Sequence, residues 1–272
     1  MTPLRWKSSL LYLSLIGGAF LFLLPLLWMV KTAFQEARLI YANPTHWLPW
    51  PPTLANFREA WALIPFMTYL RNSLLIALLA VPGAVLSSSM AGFAFASLPA
   101  RGRGVLFALL LLTLALPAQA TLIPTFLLFV KLRWVNTFLP LIVPHWTAGA
   151  IYVFLFRQFF RRLPQELYDS AELDGCSPWQ LYWYIALPLA RPLCITVALF
   201  TFIASWNDFQ GPLLYLTDGS KFTLPVGLAF FQGPYVTQLH HLMPLALLSL
   251  LPPLLLYLVG QRYLIEGLEV RG

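Results

Sequence analysis

The sequence predicts an all-α integral membrane protein with six transmembrane helices and one structured polar loop. The chain has 272 residues, of which 59% are hydrophobic and only 10% are charged. A soluble domain of this size carries roughly a quarter charged residues. Long uncharged runs recur along the chain, and a helix needs about 20 apolar residues to cross a bilayer. We therefore expect one transmembrane domain over residues 1–272, interrupted by a helix–glycine–helix segment at residues 157–191.

The expected spans follow these uncharged runs. In chain order they cover residues 8–30, 72–100, 104–130, 134–156, 192–210 and 242–261. The first run is too long for a signal peptide and has no small-residue cleavage site after it, so we interpret it as an uncleaved anchor. Pro117 and Pro124 are expected to kink the third span. The fifth span is the weakest, because only residues 192–207 are uncharged before Asp208, although a bilayer can thin around a short helix.

The distribution of basic residues gives an orientation. Six spans put both termini on one side, and with the termini in the cytoplasm ten lysines and arginines lie inside and seven outside. This bias has the sign of the positive-inside rule. The net charge of +7 is then explained by topology and contact with membrane lipid, and no stripe of basic residues indicates nucleic-acid binding.

The segment 157–191 carries the strongest local signals. Four of the ten carboxylates lie within nine residues, at Glu166, Asp169, Glu172 and Asp174. Pro164 suits the first turn of a helix, and Gly175 stands where a left-handed C-terminal cap belongs. Ser177 and Gln180 match a capping box, so a second helix should follow and end before Pro188. This pattern predicts a docking element, and the alternative is a solvated amphipathic face.

The same segment resembles the cytoplasmic coupling loop of bacterial ABC-importer permeases. That family pattern is Glu-Ala-Ala, two residues, Asp-Gly and, after a spacer, Ile-x-Leu-Pro. The matching residues here are Asp169-Ser170-Ala171, Asp174-Gly175, and Ile185, Leu187 and Pro188. The chain departs from the pattern by having Asp for Glu and Ser for the first Ala.

Further stretches are similar to carbohydrate-type permeases, particularly the six-span maltose type. They are NFREAW…YLRNSLLIA from Asn56, IPTFLLFVKL from Ile123, FTFIASWNDFQGPL from Phe200, FTLPVGLAFF from Phe222, and QRYLIEGL near the C-terminus. The resemblance implies a non-catalytic permease subunit of an ATP-driven importer for a sugar or polyol. It also implies a multi-pass protein of the bacterial or archaeal cytoplasmic (inner) membrane.

The resemblance implies partners as well. They are homodimeric ATPase subunits, a second, non-identical permease and an extracytoplasmic sugar-binding protein, with ATP and Mg²⁺ bound by the ATPase and no cofactor held by this chain. The implied coupling residues are Glu166, Leu167, Asp169, Ser170, Ala171, Leu173, Asp174, Gly175, Ile185, Leu187 and Pro188. Asp169 and Asp174 would cap helix ends or pair with basic groups of the ATPase. Leu167, Ala171 and Leu173 would fill its groove.

Residue patterns that the chain lacks point the same way. Gly219-Ser220-Lys221 does not have the upstream glycine of a phosphate-binding loop. No expected cytoplasmic segment exceeds about 35 residues, which is far below the size of a nucleotide-binding domain. If ATP drives the protein, the ATPase is a separate chain, and only residues 157–191 are extensive enough to receive it.

Asn72, Trp206, Asn207 and Asp208 are the candidates for a substrate path. A carboxylate at membrane depth is costly and tends to line a polar cavity, although Asp208 could be an ordinary interfacial acid. Asn72 could instead cap a helix or bond between helices. Cys176 and Cys194 have no metal-ligand spacing, so neither a zinc site nor a disulfide is expected.

Two other functional classes stay open at this stage. The alternative is a secondary transporter or channel that works without an ATPase, and such proteins usually carry coupling acids or paired broken helices near the membrane midplane. The other class is a membrane enzyme, which would need convergent catalytic groups.

Overall fold

The structure of the protein is a computed structural model that describes residues 4–42, 48–233 and 237–268. Its α-helices are α1 (Leu4–Phe34), α2 (Ala37–Ala42), α3 (Ala55–Leu63), α4 (Phe66–Ser97), α5 (Arg103–Leu112), α6 (Ala118–Lys131), α7 (Leu139–Ile142), α8 (Ala150–Phe160), α9 (Gln165–Leu173), α10 (Pro178–Leu181), α11 (Leu187–Leu189), α12 (Arg191–Trp206), α13 (Gln210–Tyr215), α14 (Leu224–Ala229), α15 (Leu239–Ser249) and α16 (Leu251–Leu268). A π-helical segment, Tyr182–Ala186, joins α10 to α11. Within the described ranges, β-type pairing is limited to an isolated bridge between Gln232 and Thr237.

The helices account for four to six membrane spans in the described part of the chain. Four are individually long and apolar enough: Leu11–Phe34, Phe66–Ser97, Leu139–Phe160 and Leu239–Gln261. Two bent pairs qualify together, namely Arg103–Ala115 with Gln119–Lys131 at 104°, and Pro178–Leu189 with Arg191–Trp206 at 76°. The expected all-α membrane fold is confirmed, with six spans when each bent pair is counted as one.

Several spans begin or end away from the uncharged runs. The first spanning helix continues past Lys31 to Phe34, and α4 begins at Phe66 and therefore includes Arg71. A charged residue ends an apolar run without ending the backbone hydrogen bonding of a helix, so helix ends reach beyond the apolar runs. The fourth span begins only at Leu139, because Arg133 and Asn136 have positive φ angles of 58° and 60° that no right-handed helix accommodates.

Proline breaks the third span more sharply than a kink. Leu116 is extended, as the residue before a proline prefers to be, and Pro117 is the extended N-cap of α6. Pro124 lies inside α6 without ending it. The 104° bend therefore lies at the extended residues Leu116 and Pro117, and not at Pro124.

The chain divides into two compact units, Met1–Phe66 with Gly227–Leu251, and Met67–Val226 with Pro252–Gly272. In the first unit, α1 and α3 pack against α15. The Asn56 amide donates to the carbonyls of Ala33 and Gln35 at 3.1 and 2.7 Å, which fastens α3 to the end of α1. The second unit contains the segment 157–191 and an aromatic core around Phe156, Phe160 and Tyr182.

Candidate functional site

Helix α9 ends at Gly175 through backbone geometry. The Gly175 φ angle is 78°, a left-handed conformation that glycine adopts without a steric penalty. The Gly175 amide donates to the Glu172 carbonyl at 3.0 Å, and the Cys176 amide donates to the Ala171 carbonyl at 2.9 Å. These two bonds form a Schellman motif, so the predicted glycine cap is confirmed.

The second helix starts with the predicted capping box. The Gln180 amide donates to Ser177 Oγ at 3.3 Å, and the Ser177 amide donates to Gln180 Oε1 at 2.8 Å. The capping box thereby satisfies the amides of Ser177 and Gln180, which have no partner within the helix. The helix–glycine–helix segment is thus specified by its own sequence.

The second helix does not stop before Pro188, contrary to the prediction. It continues as the π-helical segment Tyr182–Ala186 and then as α11, Leu187–Leu189. A π-helical turn already interrupts the regular hydrogen-bond ladder, so a proline that lacks an amide proton is tolerated just after it. Ile185, Leu187 and Pro188 therefore lie on the approach to the 76° bend before α12.

The outward face of α9 is acidic with two leucines. Leu173 is 89% exposed and Leu167 is 38% exposed, whereas Ala171 is only 4% exposed. Glu166, Asp169, Ser170, Glu172, Asp174 and Gly175 are all exposed. Ala171 therefore packs inside its own chain. This position differs from the expectation that Ala171 fills a groove of the ATPase.

The carboxylates of α9 make few hydrogen bonds within the chain. Gln165 donates to Asp169 Oδ1 at 3.0 Å on the helix surface. Within the described residues, the side chains of Glu166, Glu172 and Asp174 have no hydrogen bond or ion pair. Asp174 is the C-cap residue, and the last turn has no basic residue. A carboxylate near the negative end of a helix dipole is unfavourable, so Asp174 opposes the stability of its own helix.

Tyr182 anchors the second helix to the spans. Its side chain is 2% exposed, and its hydroxyl is 2.7 Å from Ser89 Oγ in the middle of α4. Its ring lies 5.4 Å from the ring of Phe93, which in turn contacts Phe160 edge-on at 5.7 Å. The second helix is therefore packed directly against α4 and α8.

Tyr168 anchors α9 in a similar way. Its hydroxyl donates to the Phe160 carbonyl at 3.2 Å and is also hydrogen-bonded to the side chain of Ser97. Burial raises the pKa of Tyr168 above its ordinary value, with the Ser97 hydrogen bond acting in the opposite direction. The phenol is a neutral donor at physiological pH.

Sequence reasoning did not identify Tyr168, Tyr182 or Ser89 as members of this site. Ser89 belongs to a serine run in the second span, and Tyr182 opens the Tyr-Trp-Tyr run 182–184. These two runs are the features of the sequence that could have drawn attention to Ser89 and Tyr182. Their pairing was not readable, because the two hydroxyls are 93 residues apart in the chain.

The four substrate-path candidates do not form one site. Asn72 donates to the carbonyls of Ser220 and Phe222, both at 2.9 Å, and so holds a turn in place. Trp206 is 3% exposed and stacks on Phe202 with a centroid separation of 5.4 Å. Asn207 caps α12 by donating to the Ile203 carbonyl at 2.9 Å.

Asp208 is the candidate that faces open space. It lines a groove of about 220 Å³ together with Thr121, Leu122, Thr125, Gln210, Gly211, Leu214 and Tyr215. Asp208 Oδ1 accepts a hydrogen bond from the Gly211 amide at 3.0 Å. Thr121 and Thr125 share one face of α6 because they are one helical turn apart. Hydroxyl, carboxylate, amide and phenol groups are therefore brought to one groove.

Comparison of the fold defines the class of protein. A chain from the crystal structure of a bacterial ABC transporter involved in the import of the acidic polysaccharide alginate superposes with a TM-score of 0.84. The match covers 97% of this chain and 99% of that chain, at 19% sequence identity. The protein therefore has the fold of a chain of an ABC transporter.

Sequence comparison gives the family. The chain belongs to the family of binding-protein-dependent transport system inner membrane components, which matches residues 83–266. An arabinooligosaccharides transport system permease protein of Halalkalibacterium halodurans is 35% identical, over 97% of this chain and 96% of that protein. A trehalose/maltose transport system permease protein of Thermococcus litoralis is 32% identical, over 96% and 95%. An sn-glycerol-3-phosphate transport system permease protein of Shigella flexneri is 31% identical, over 97% and 96%.

Family membership decides between the functional classes. The protein is a non-catalytic permease subunit of an ABC importer in the inner membrane, and ATP is hydrolysed by separate ATPase subunits. A substrate-binding protein is a further partner of such a system. The alternative of a secondary transporter or channel is not favoured.

Proposed function

We propose that this subunit imports a sugar oligomer or a related polyol and receives its driving force through residues 157–191. The observation that supports this most directly is the surface of α9, where exposed carboxylates without intramolecular partners surround Leu167 and Leu173. Such a surface matches a groove with an apolar floor and a basic rim. We assign that groove to the ATPase subunits.

The anchoring contacts supply the mechanical part of the proposal. Closure of a pair of identical ATPase subunits on ATP and Mg²⁺ would displace α9. Tyr168 holds this segment to the end of α8 through a hydrogen bond of 3.2 Å, and Tyr182 holds it to α4 through one of 2.7 Å. Because the Tyr182 contact is buried and the Tyr168 contact is partly buried, displacement of the segment moves the spans with it. As a result, the substrate path of the permease opens alternately to the outside and to the cytoplasm.

The substrate class is inferred from the relatives and from the Asp208 groove. The three relatives are described as transporting arabinooligosaccharides, trehalose or maltose, and sn-glycerol 3-phosphate. The groove offers Thr121, Thr125 and Asp208 as hydrogen-bonding groups suited to a polyhydroxylated ligand. We assign Asp208 to the substrate path and remove Asn72, Trp206 and Asn207 from it.

The assembly proposed contains a second, non-identical permease subunit and a sugar-binding protein on the outer side. Both termini of this chain are cytoplasmic in the proposed orientation. A cysteine placed at Ser220, after Cys176 and Cys194 have been replaced by serine, should react with an impermeant thiol reagent added outside intact cells. A cysteine at Ser170 should react only after the cells are opened. Reaction of the Ser220 cysteine from the inside alone would overturn the orientation.

Reconstitution tests the function. The chain should co-purify with ATPase subunits, and proteoliposomes containing the complex and its binding protein should accumulate a labelled oligosaccharide only when ATP is present. Uptake driven by an ion gradient without ATP would contradict the proposal. The same vesicles, offered arabinooligosaccharide, maltose and glycerol 3-phosphate in turn, identify the substrate.

Two leucine variants test the docking surface. Leu173→Ala removes the most exposed apolar side chain of α9 and should weaken retention of the ATPase. Leu189→Ala is the matched control, because Leu189 is a 45% exposed leucine at the far end of the second helix. Equal losses in both variants would exclude α9 as the specific docking surface.

A further inference from the structure

A cavity lies on the side of α9 that carries Gln165, Tyr168 and Glu172. Its volume is about 610 Å³, and it is bounded by α9, the start of the second helix and the turn that precedes α5. Arg103, Arg161, Gln165, Tyr168, Glu172 and Leu181 are among the lining residues. Nothing in the coupling proposal accounts for this cavity, since the proposed ATPase contact uses the exposed outer face of the helix.

The cavity is next to a cluster of three arginines. Arg103 and Arg161 line it directly, and Arg157 lies within range of both of their charges. Arg157 is held by a hydrogen bond from Nε to the Phe95 carbonyl at 3.4 Å and by a cation–π contact, 4.0 Å from the centroid of the Phe107 ring. In the described part of the chain, none of the three forms an ion pair with a carboxylate. Glu172 is the carboxylate among the lining residues, and the two lining arginines outnumber it, so the cavity has a net positive charge that favours the binding of an anion.

The surroundings of the arginines indicate the source of that anion. Arg103 is the first residue of α5, and the following turns expose Val105, Leu106 and Leu109 by 66, 58 and 54%. Arg157 likewise stands in the last turn of the apolar helix α8. A basic cavity at the end of an exposed apolar helix face matches the two ends of a phospholipid, which are a phosphate and an acyl chain.

We propose that this cavity binds the phosphate group of an anionic phospholipid, with the acyl chains lying along the exposed face of α5. Guanidinium groups suit this ligand because they donate paired hydrogen bonds to phosphate oxygens. Arg103 already donates one hydrogen bond to the Leu98 carbonyl at 3.0 Å, so its position at the rim is fixed. Bound lipid would neutralise the repulsion among the arginines and brace the inner side of α9 against the turn before α5.

Lipid titration of the assembled transporter tests this site. The delipidated complex in detergent is titrated with phosphatidylglycerol or phosphatidylcholine, and bound lipid is counted by native mass spectrometry alongside the thermal midpoint Tm. Phosphatidylglycerol should bind and raise Tm, whereas phosphatidylcholine should not. Arg103→Gln with Arg161→Gln should weaken phosphatidylglycerol binding by about fivefold per arginine, equivalent to about 1 kcal/mol for each basic residue near anionic lipid.

The chain contains a matched control. Arg101→Gln with Arg162→Gln removes the same charge from exposed positions close in sequence that do not line the cavity. The control pair should keep phosphatidylglycerol binding within twofold of the native complex. Equal weakening by both pairs would indicate a general surface attraction and overturn the site.

Two further outcomes also count against the lipid. Inorganic phosphate at millimolar concentration that displaces phosphatidylglycerol and gives the same rise in Tm would identify a soluble anion as the ligand. Loss of ATPase subunits from the Arg103→Gln, Arg161→Gln complex, with lipid binding unchanged, would identify an acidic segment of the ATPase as the occupant.

Discussion

Two polar regions of this subunit use their side chains in opposite ways. In the segment from α9 to α10, backbone bonds at Gly175 and the Ser177 capping box make the fold, and the acidic side chains face solvent. In the turn at residues 217–224, side chains make the fold. Asn136 Oδ1 accepts from the amides of Thr217 and Asp218 at 3.2 and 3.1 Å, and Lys221 donates to the Asn136 carbonyl at 2.7 Å.

This difference distinguishes residues that are available to bind a partner from residues that stabilise the fold, and it requires no knowledge of a ligand. A polar group that is satisfied inside the chain has little left to offer another molecule, whereas an unsatisfied carboxylate near a helix C-terminus reduces the stability of that helix. Asp174 has such an unfavourable position. The Asn72 amide, in contrast, donates two hydrogen bonds within the chain. We therefore expect substitutions in the first region to affect coupling, and substitutions in the second to affect stability.

The largest effect is expected from Gly175→Val. A Cβ atom at Gly175 meets nothing within 4 Å, so the substitution causes no clash. The φ angle of 78° is nevertheless unfavourable for a residue with a side chain, by on the order of 1 kcal/mol and by more for a β-branched one. The variant should insert into the membrane normally and lose ATP-dependent uptake, measured in proteoliposomes.

Gly102→Val is the matched control for backbone strain. Gly102 has a φ angle of 79° and the same open space, but it precedes α5 and lies outside the coupling segment. Gly175→Asn should retain more uptake than Gly175→Val, because asparagine enters the left-handed region more readily. Normal uptake by Gly175→Val would remove the coupling role from this bend.

Asn72→Ala should have the next largest effect, and on stability. It deletes the donor of two partly buried hydrogen bonds, to the Ser220 and Phe222 carbonyls, and a typical hydrogen bond contributes a net of about 0.5–1.5 kcal/mol. Tm in detergent should fall, while ATP hydrolysed per sugar transported should not change. Asn207→Ala is the control, because its amide bonds only within its own helix turn. Uncoupling by Asn72→Ala at unchanged Tm would reverse the distinction between the two regions.

Local signals in the sequence predicted the first region well. The Schellman cap, the capping box and the apolar spans all depend on residues within a few positions of one another, so a single chain displays them. The same reasoning failed at Pro188, where a π-helical segment lets the helix continue through proline to Leu189. The helix ends at Phe34 and Phe66 were also displaced, because charge marks the end of an apolar run rather than of a helix.

The second region could not be predicted, because its bonds join distant positions. Asn72 and Phe222 are 150 residues apart, and Ser73 Oγ accepts from the Leu224 amide across 151. Asn72 and Asp208 are both polar residues beside apolar runs, and the sequence offers no means of telling a satisfied amide from an open carboxylate. Arg271, one of the ten basic residues counted on the inside in the sequence-based topology, lies outside the described residues.

Asp169→Asn should have a smaller, purely intermolecular effect. The Asp169 carboxylate is exposed and bonded only to Gln165, so its loss should leave Tm unchanged. If it meets a basic group in the ATPase groove, ATPase association should weaken by about 1–3 kcal/mol. Asp169→Glu restores the residue of the family pattern and should be tolerated. An unaffected Asp169→Asn complex together with a damaged Asp169→Glu complex would show that the size of this side chain matters and its charge does not.

Ser170 is the neighbour that bears on that test. Its hydroxyl donates to the Leu167 carbonyl at 3.2 Å and is therefore already engaged within the helix. We expect Asp169→Asn combined with Ser170→Ala to equal Asp169→Asn alone in ATPase association, provided that Ser170→Ala is benign. A markedly weaker double variant would indicate that the hydroxyl compensates for the missing carboxylate.

The smallest effect is expected at Asp218, and only in acid. The amide and hydroxyl of Ser220 donate to the Asp218 carboxylate at 2.9 and 2.8 Å, and these bonds lower the pKa of Asp218 below its ordinary value of 3.8. A depressed pKa stabilises the folded state above pH 3.8, and this contribution is lost as the pH falls through the lowered pKa. A protonated aspartic acid resembles asparagine, so Tm of Asp218→Asn should lie slightly below that of the native chain near neutral pH and converge with it in acid. Asp174→Asn loses no such hydrogen bonds and removes a carboxylate from the negative end of a helix dipole, so its Tm near neutral pH should not lie below that of the native chain. A difference for Asp218→Asn that stays constant with pH would mean that the carboxylate charge contributes nothing to the 217–224 turn.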